Sequence, residues 1–258
     1  MKRRLFLPVI LVLITLLGYF WLRPNHTATP GANGSADTKN SSATEQNDTK
    51  PSGFDKTQYS LTNPSSVWVI VNKKHPLQPI SYVSSDLVLP GVSQRVPGTS
   101  EMKMRAPAAA ALKQMFVAAD KANIRLLIST AYRSYSYQKV LYNGYVASEG
   151  QTQADTQSAR PGYSEHQTGL AVDIRAKSGK CPIEQCFGNL PEGKWLAANA
   201  YKYGFLLRYP KDKESVTGYE YEPWHFRYVG TTLSQELHKQ GVETLEEFFD
   251  VSGGKTYN

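Results

Sequence analysis

Residues 163–174, YSEHQTGLAVDI, place His166 and Asp173 seven positions apart on either side of Gly169. The alternation in the second half of this stretch predicts a strand, with Asp173 on the face opposite the aliphatic side chains. On one straight strand His166 and Asp173 would lie over ~20 Å apart, because each residue rises about 3.3 Å. A shared role therefore needs a chain reversal, which Gly169 permits. A structural hydrogen bond within this pair is the alternative to a metal site.

A second stretch, EPWHF at residues 222–226, offers a further histidine and a carboxylate. A catalytic zinc takes three protein ligands and leaves its fourth position to water, beside which a carboxylate serves as base. His166, Asp173 and His225 would supply two nitrogens and one oxygen, and Glu222 would remain free as the base. Alternatively, this stretch is an aromatic strand whose histidine packs at a rim.

Helical and extended patterns alternate irregularly along the rest of the chain. Apolar periodicity and Pro and Gly positions predict helices and strands. The helices are expected at 107–124, 135–148, 191–204, 232–241 and 244–250. The strands are expected at 125–134, 169–174, 205–210 and 222–229, with a strand or docking segment at 67–73 and a loop at 150–162. Because no regular βαβ rhythm appears, we predict an α+β domain.

The N-terminus combines a basic cap with an uncharged run of 18 residues, Leu5 to Leu22, closed by Arg23. This length is near the lower limit for a bilayer span, and no small-residue cleavage site follows at once, so we predict a signal anchor at 1–23 rather than a cleaved signal peptide. The basic cap places the bulk of the chain outside the cytoplasm. Residues 24–58, rich in Ser, Thr, Asn and Gly, are predicted to be a flexible linker, and 59–258 a single domain.

Charge and cysteine content narrow the functional class. Of the net charge of +7, four charges lie in residues 2–23, and no basic cluster with interleaved aromatics occurs downstream, so we predict no nucleic-acid partner. In an exported chain the nearby pair Cys181 and Cys186 is expected to form a disulfide. We expect a monomer.

Three motifs in order give the chain a specific resemblance. Residues 164–173 fit the pattern S-x-H-x-x-G-x-A-x-D, EPWH follows at 222–225, and TAYRSYSYQ at 130–138 resembles an arginine-bearing motif. The sequence from about 65 to 250 thereby resembles the zinc-dependent D-Ala-D-Ala carboxypeptidases, which include vancomycin-resistance-type enzymes and related L,D-carboxypeptidases of bacterial cell walls. Such enzymes have a small mixed or antiparallel sheet flanked by helices.

The resemblance implies a role for each matched residue. His166, Asp173 and His225 would bind Zn²⁺, Glu222 would act as general base and then acid, and Arg133 would face the substrate carbonyl or its terminal carboxylate. Ser164 and Gln138 match positions that line the carboxylate pocket. The implied reaction removes the C-terminal D-alanine of peptidoglycan stem peptides, with a D,D- or an L,D-specificity. A dipeptidase, an endopeptidase or a non-catalytic wall-binding domain are the alternatives.

A different mechanism is suggested by SYQK, Ser136 to Lys139, an S-x-x-K tetrad at the start of a predicted helix. Penicillin-binding serine carboxypeptidases carry such a tetrad together with a K-T-G element on a later strand. The chain has GKT only at 254–256, where too little sequence follows to form that strand. We therefore favour the zinc mechanism.

Overall fold

The computed structural model describes residues 53–258. The predicted anchor at 1–23 and most of the predicted linker at 24–58 lie outside the described residues. No helix within residues 53–258 combines the length and the apolar character that a membrane crossing requires. The packed domain already includes Phe54, whose ring stacks on Trp68 with centroids 5.6 Å apart.

Seven α-helices and six strands are formed in the described part of the chain. The helices are α1 Ala106–Lys121, α2 Tyr135–Glu149, α3 Gln151–Gln157, α4 Pro191–Asn199, α5 Glu214–Thr217, α6 Thr231–Gln240 and α7 Leu245–Phe249. The strands are β1 Leu87–Val88, β2 Met104–Arg105, β3 Leu126–Thr130, β4 Ala171–Ala176, β5 Phe205–Leu207 and β6 His225–Tyr228. Short 3-10 helices span Ser100–Met102, Glu165–Thr168, Gln185–Asn189 and Ala200–Tyr203.

The main sheet has four strands in the order β3-β4-β6-β5, with every neighbouring pair antiparallel. Leu112 and Met115 of α1 pack with Val172 and Ile174 of β4 in one buried core, as the alternation along β4 predicts. The predicted α+β class, with a small antiparallel sheet flanked by helices, is confirmed. Asp173 lies on the opposite face of β4 from this core, and it pairs with His225 of β6.

The chain reverses immediately before β4. Residues Glu165–Thr168 form one 3-10 turn, and Gly169 ends it in the left-handed conformation with φ 72°. The left-handed conformation favours glycine, because any other residue would be strained there, and a Cβ would also lie 2.6 Å from Leu87 Cδ2 and displace that side chain. The reversal places the 3-10 turn, with His166, beside the strand that carries Asp173.

Several segments differ from the sequence-based expectation, and the strands predicted at 125–134 and 205–210 are limited to Leu126–Thr130 and Phe205–Leu207. Residues 150–162 are not all loop, because Gln151–Gln157 form α3, a polar helix that begins after Gly150 ends α2. Residues 67–73 form no strand and instead dock, with Trp68, Val69 and Val71 buried in the two cores. The strand expected at 222–229 is limited to His225–Tyr228 because the backbone N–H of His225 turns back to bond the carbonyl of Glu222.

Candidate metal centre

The two histidines and the aspartate of the sequence motifs converge. His166 Nε2 lies 3.3 Å from Asp173 Oδ2, and His225 Nδ1 lies 3.1 Å from Asp173 Oδ1. One ligand atom of each residue lies within 4.8 Å of the others, and all three side chains are buried. The chain reversal thus removes the separation that a straight strand would impose.

Each of the three side chains is held by a different element. His166 lies on the 3-10 turn, and its Nδ1 is 2.6 Å from the carbonyl oxygen of Ala131, which follows β3. Asp173 and His225 are paired across β4 and β6. Because three elements of one rigid core fix the ligands, their geometry does not depend on a flexible loop.

The donor set fits zinc. Two imidazole nitrogens and one carboxylate oxygen are the ligand types that a catalytic zinc takes from a protein. Asp173 Oδ1 is buried and accepts no hydrogen bond from the described residues, which leaves it available to a cation. Burial alone would lower the pKa of His225, but Asp173 and Glu165 raise it to about 9, which shows that the surrounding carboxylates favour a cation at this point.

Glu222 lies beside the three ligands without belonging to them. Its Oε2 is 3.6 Å from His225 Nδ1. Burial, to which Asp173 adds, raises the pKa of Glu222 to about 8, so a proton that its carboxylate accepts is held more firmly than on an exposed glutamate. A carboxyl group that can accept and return a proton at this place is what a general base that later acts as an acid requires.

Arg133 completes the polar side of the site. Its Nη2 lies 3.7 Å from Asp173 Oδ2, and its Nη1 donates a 2.9 Å hydrogen bond to Gln138 Oε1. Gln138 is fully buried and lies behind Arg133, where its Nε2 bonds Ser158 Oγ and the Ala159 carbonyl. Gln138 therefore orients the guanidinium rather than lining the open cavity.

A cavity of about 400 Å³ opens over the centre. Arg133, Ser164 and Glu222 line it, as do several tyrosines and residues 183–185. The last segment belongs to a loop closed by a disulfide between Cys181 and Cys186. The space is sufficient for the end of a peptide, and the guanidinium, the three ligands and the free carboxyl all face it.

Four charged residues behind the site were not predicted from the sequence. Glu165 is completely buried, and it accepts hydrogen bonds from Arg208 and Arg227, which are equally buried. Burial would raise the pKa of Glu165, but these arginines hold it well below its usual range. Glu246 pairs with Arg208 from the opposite side. The sequence held one signal of such buried charges, because an arginine stands within each of two apolar strand patterns, FLLRYP and HFRYV. A charge in such a strand is rarely buried unless it is paired.

Known proteins resemble this chain in sequence and in fold. The family model VanY, D-alanyl-D-alanine carboxypeptidase, matches residues 101–231. The putative carboxypeptidase YodJ of Bacillus subtilis (strain 168) is 44% identical over 191 residues, 74% of this chain and 69% of that protein. The solved structure of the LdcB LD-carboxypeptidase is 44% identical, with a TM-score of 0.69 over 74% of this chain and 89% of that chain. A Zn(II) complex of a mutant of the vancomycin resistance D,D-pentapeptidase VanY is 31% identical, with a TM-score of 0.58 over 70% of this chain and 97% of that chain.

Fold and site together define a zinc-dependent carboxypeptidase. The chain belongs to the D-alanyl-D-alanine carboxypeptidase family. The enzyme class, the zinc cofactor and the family that the sequence motifs indicated are confirmed.

Proposed function

We propose that this protein removes the C-terminal D-alanine from peptidoglycan stem peptides, and that it does so with the residues assembled around the cavity. The observation that carries the proposal is the convergence of His166, Asp173 and His225 with the unligated Glu222 and with Arg133. The D,D- and L,D-carboxypeptidase relatives support the substrate class.

His166, Asp173 and His225 would hold the zinc ion. When bound, zinc supplies Lewis-acid polarisation of the scissile carbonyl and acidifies a water molecule. Glu222 accepts the proton of that water at its carboxylate and returns a proton to the nitrogen of the departing D-alanine. Its burial suits the second step, because the raised pKa lets Glu222 hold the proton until it passes to the amine nitrogen as the peptide bond breaks.

Arg133 accounts for action at a chain end. A guanidinium that faces the cavity binds a carboxylate through two parallel hydrogen bonds, and the last residue of a peptide supplies an α-carboxylate that internal residues lack. Alternatively it donates to the oxyanion that develops on the scissile carbonyl. Ser164 lines the same cavity and offers a hydroxyl to the substrate carboxylate, whereas Gln138 contributes by orienting Arg133.

We further propose the cellular arrangement that the N-terminal sequence suggests. Residues 1–23 would anchor a single-pass protein in the cell membrane, 24–58 would serve as a tether, and 59–258 would act as a monomeric catalytic domain outside the cytoplasm. The length and the basic cap of the apolar run support the anchor.

Defined peptides test the activity. The purified full-length protein is incubated with a muramyl tetrapeptide that ends in one D-alanine, with a pentapeptide that ends in two, and with free D-Ala-D-Ala, and the products are identified by mass. Release of one D-alanine from the pentapeptide alone indicates a D,D-carboxypeptidase, and release from the tetrapeptide alone an L,D-carboxypeptidase. Hydrolysis confined to the free dipeptide would replace the proposal with a dipeptidase.

Metal removal tests the mechanism in the same assay. We expect a chelator to abolish hydrolysis and added zinc to restore it, because the ion supplies the electrophile. Activity that survives chelation, together with covalent labelling by penicillin, would overturn the zinc mechanism in favour of the serine tetrad at 136–139.

A further inference from the structure

Glu165 immediately precedes the ligand His166 in the sequence, and it lies near the other histidine ligand, His225, in the folded domain. Its Oε1 accepts one hydrogen bond from Arg208 Nε and one from Arg227 Nη1, both 2.8 Å long. Its other oxygen, Oε2, faces His225 Nε2 at 3.6 Å. Glu165 therefore lies on the Nε2 side of His225, whereas Asp173 lies on the Nδ1 side.

Glu165 Oε2 and His225 Nε2 are each buried without a hydrogen-bond partner among residues 53–258. A buried polar atom left unpaired costs about 1–3 kcal/mol, and this pair faces each other about half an ångström beyond hydrogen-bond distance. Shortening the distance between Glu165 Oε2 and His225 Nε2 to hydrogen-bond length satisfies both atoms at once. Because the carboxylate can only accept, His225 Nε2 must be the donor, and its proton is then absent from Nδ1 when the ring is neutral.

The arginines prevent the carboxylate from turning. Arg227 is itself fixed by bonds from Nη2 to the carbonyls of Val67 and Val69, at 3.1 and 2.8 Å. Arg208 is fixed by Glu246, which accepts from both of its terminal nitrogens at 2.9 and 2.7 Å. With Oε1 held by both cations, Oε2 has one direction left, toward His225.

We propose that Glu165 is a positioning residue that fixes the tautomer and the ring orientation of His225, so that the Nδ1 lone pair faces the zinc. This inference rests on the proposed metal site and adds a residue that does not touch substrate. His166 has an equivalent restraint in the Ala131 carbonyl, which accepts a hydrogen bond from Nδ1–H and leaves Nε2 free for the metal. Both histidine ligands would thereby be held as neutral donors through the nitrogen that does not bind the ion.

Glu165→Gln tests this tautomer control. The two arginines require an oxygen opposite them, so the new amide would turn its NH₂ group toward His225. That group is a donor, which makes Nε2 the acceptor and moves the ring proton to Nδ1, the nitrogen that must bind zinc. The matched control is Glu246→Gln, which removes one buried negative charge from the same Arg208 but has no contact with His225.

We expect Glu165→Gln to lower zinc affinity by about 10- to 100-fold, the usual effect of losing such a partner. Affinity is measured by chelator competition on the apoprotein, after circular dichroism has shown that each full-length variant is folded. The control should lose thermal stability while keeping the zinc affinity of the wild type. Bound Co²⁺ gives a second readout, because its visible spectrum should change in Glu165→Gln and not in the control.

Wild-type zinc affinity in Glu165→Gln would overturn the inference. An equal loss of zinc affinity in Glu165→Gln and Glu246→Gln would overturn it as well. If Glu165→Gln does not fold, ¹H–¹⁵N correlation spectra of the zinc-loaded wild type decide the question. They should show His225 protonated at Nε2 and metal-bound at Nδ1, and the reverse pattern would refute the proposal. A wild type that hydrolyses peptides but fails these tests retains its proposed function, whereas one that binds no zinc loses both.

Discussion

Glu222 and Glu220 are two residues apart, yet the fold treats them differently. Glu222 is largely buried beside His225, and Glu220 is exposed at the rim of the same cavity. A carboxyl group buried next to three metal ligands can exchange a proton with the reacting water, whereas one at the rim is screened by solvent. Substituting the two glutamates separately therefore tests which carboxyl group exchanges a proton with the reacting water.

Glu222→Gln should lower kcat by about 100- to 10,000-fold, the range for loss of a general acid–base group. Zinc content should stay at the wild-type level, because Glu222 is not one of the three converging ligands. Elemental analysis and single-turnover hydrolysis measure the two quantities. Glu220→Gln is the matched control and should retain nearly full activity. A large loss in the control, or a loss of zinc in Glu222→Gln, would contradict this assignment.

Arg133→Lys keeps the charge but removes the two-pronged donor. We expect kcat/KM for a peptide with a free C-terminal carboxylate to fall about 10- to 100-fold, since hydrogen bonds to charged groups contribute about 1.5–3 kcal/mol. The variant should also lose much of the preference for the free acid over the C-terminal amide. Arg125→Lys, at an exposed arginine that pairs with Asp120 and does not line the cavity, is the control. An unchanged acid-over-amide preference in Arg133→Lys would mean that Arg133 does not bind the carboxylate.

The ligands could be predicted from sequence and the residues behind them could not. His166 and Asp173 lie close together in sequence around a glycine, so one short motif carries both their chemistry and their turn. Glu165, Arg208 and Glu246 meet only because β5 and α7 pack beside the 3-10 turn. No local spacing encodes such a contact, and a charge inside an apolar strand reports only that some partner exists.

At the level of elements, periodicity predicted the sheet better than it predicted the connections. The alternation along β4 is strong because one face packs against α1 and the other faces the site. The seven residues of α3 show no such alternation, because only Ala154 is buried, so their polar composition suggested a loop. Polar, glutamine-rich segments can form short helices when a neighbouring helix covers one side chain, and that information is tertiary.

The disulfide loop is the element of the cavity wall under most backbone constraint. Cys181 and Ile183 have positive φ angles of 44° and 55°, which β-branched and bulky residues rarely adopt. Such conformations cost about 1–3 kcal/mol each and persist where the surroundings enforce them. Ile183 lines the cavity, so the disulfide closes the loop that presents this apolar side chain to the cavity.

Replacing both Cys181 and Cys186 with serine should raise KM about five-fold or more, equivalent to about 1 kcal/mol of lost binding, with a smaller change in kcat. Thermal stability should change little, because the loss of about 2 kcal/mol from a short cross-link is offset by relief of backbone strain. The measurement is a KM series with and without a thiol reductant. Reductant should raise KM in the wild type and leave the serine variant unaffected. An equal response in both would exclude a role for the disulfide in binding.

Across the whole domain, Lys73 joins segments that are distant in the chain. Its Nζ donates to the carbonyls of Asp155 and Gly218, both at 2.6 Å, and to that of Lys255 at 3.3 Å. The ammonium also lies 4.5 Å from the centre of the Tyr219 ring. Because the side chain is only 1% exposed, burial lowers the pKa of Lys73 to about 8. One cation thus holds together the end of α3, the turn after α5 and the C-terminus.

This arrangement makes the stability of the domain depend on pH with a definite sign. Between about pH 8 and the ordinary value of 10.5, the unfolded chain keeps the Lys73 proton and the folded chain has released it. The unfolded state therefore binds more protons, and the free energy of unfolding attributable to Lys73 should rise with pH across this window. The gain should be on the order of 3 kcal/mol, since each tenfold change in proton affinity corresponds to about 1.4 kcal/mol. Urea unfolding of the wild type and of Lys73→Met from pH 7 to 10.5 measures it as the difference between the two proteins.

Lys74→Met, at a half-buried neighbour that bonds Thr256, is the control and should track the wild type. A difference that stays flat or falls as the pH rises would show that Lys73 keeps its proton in the folded domain.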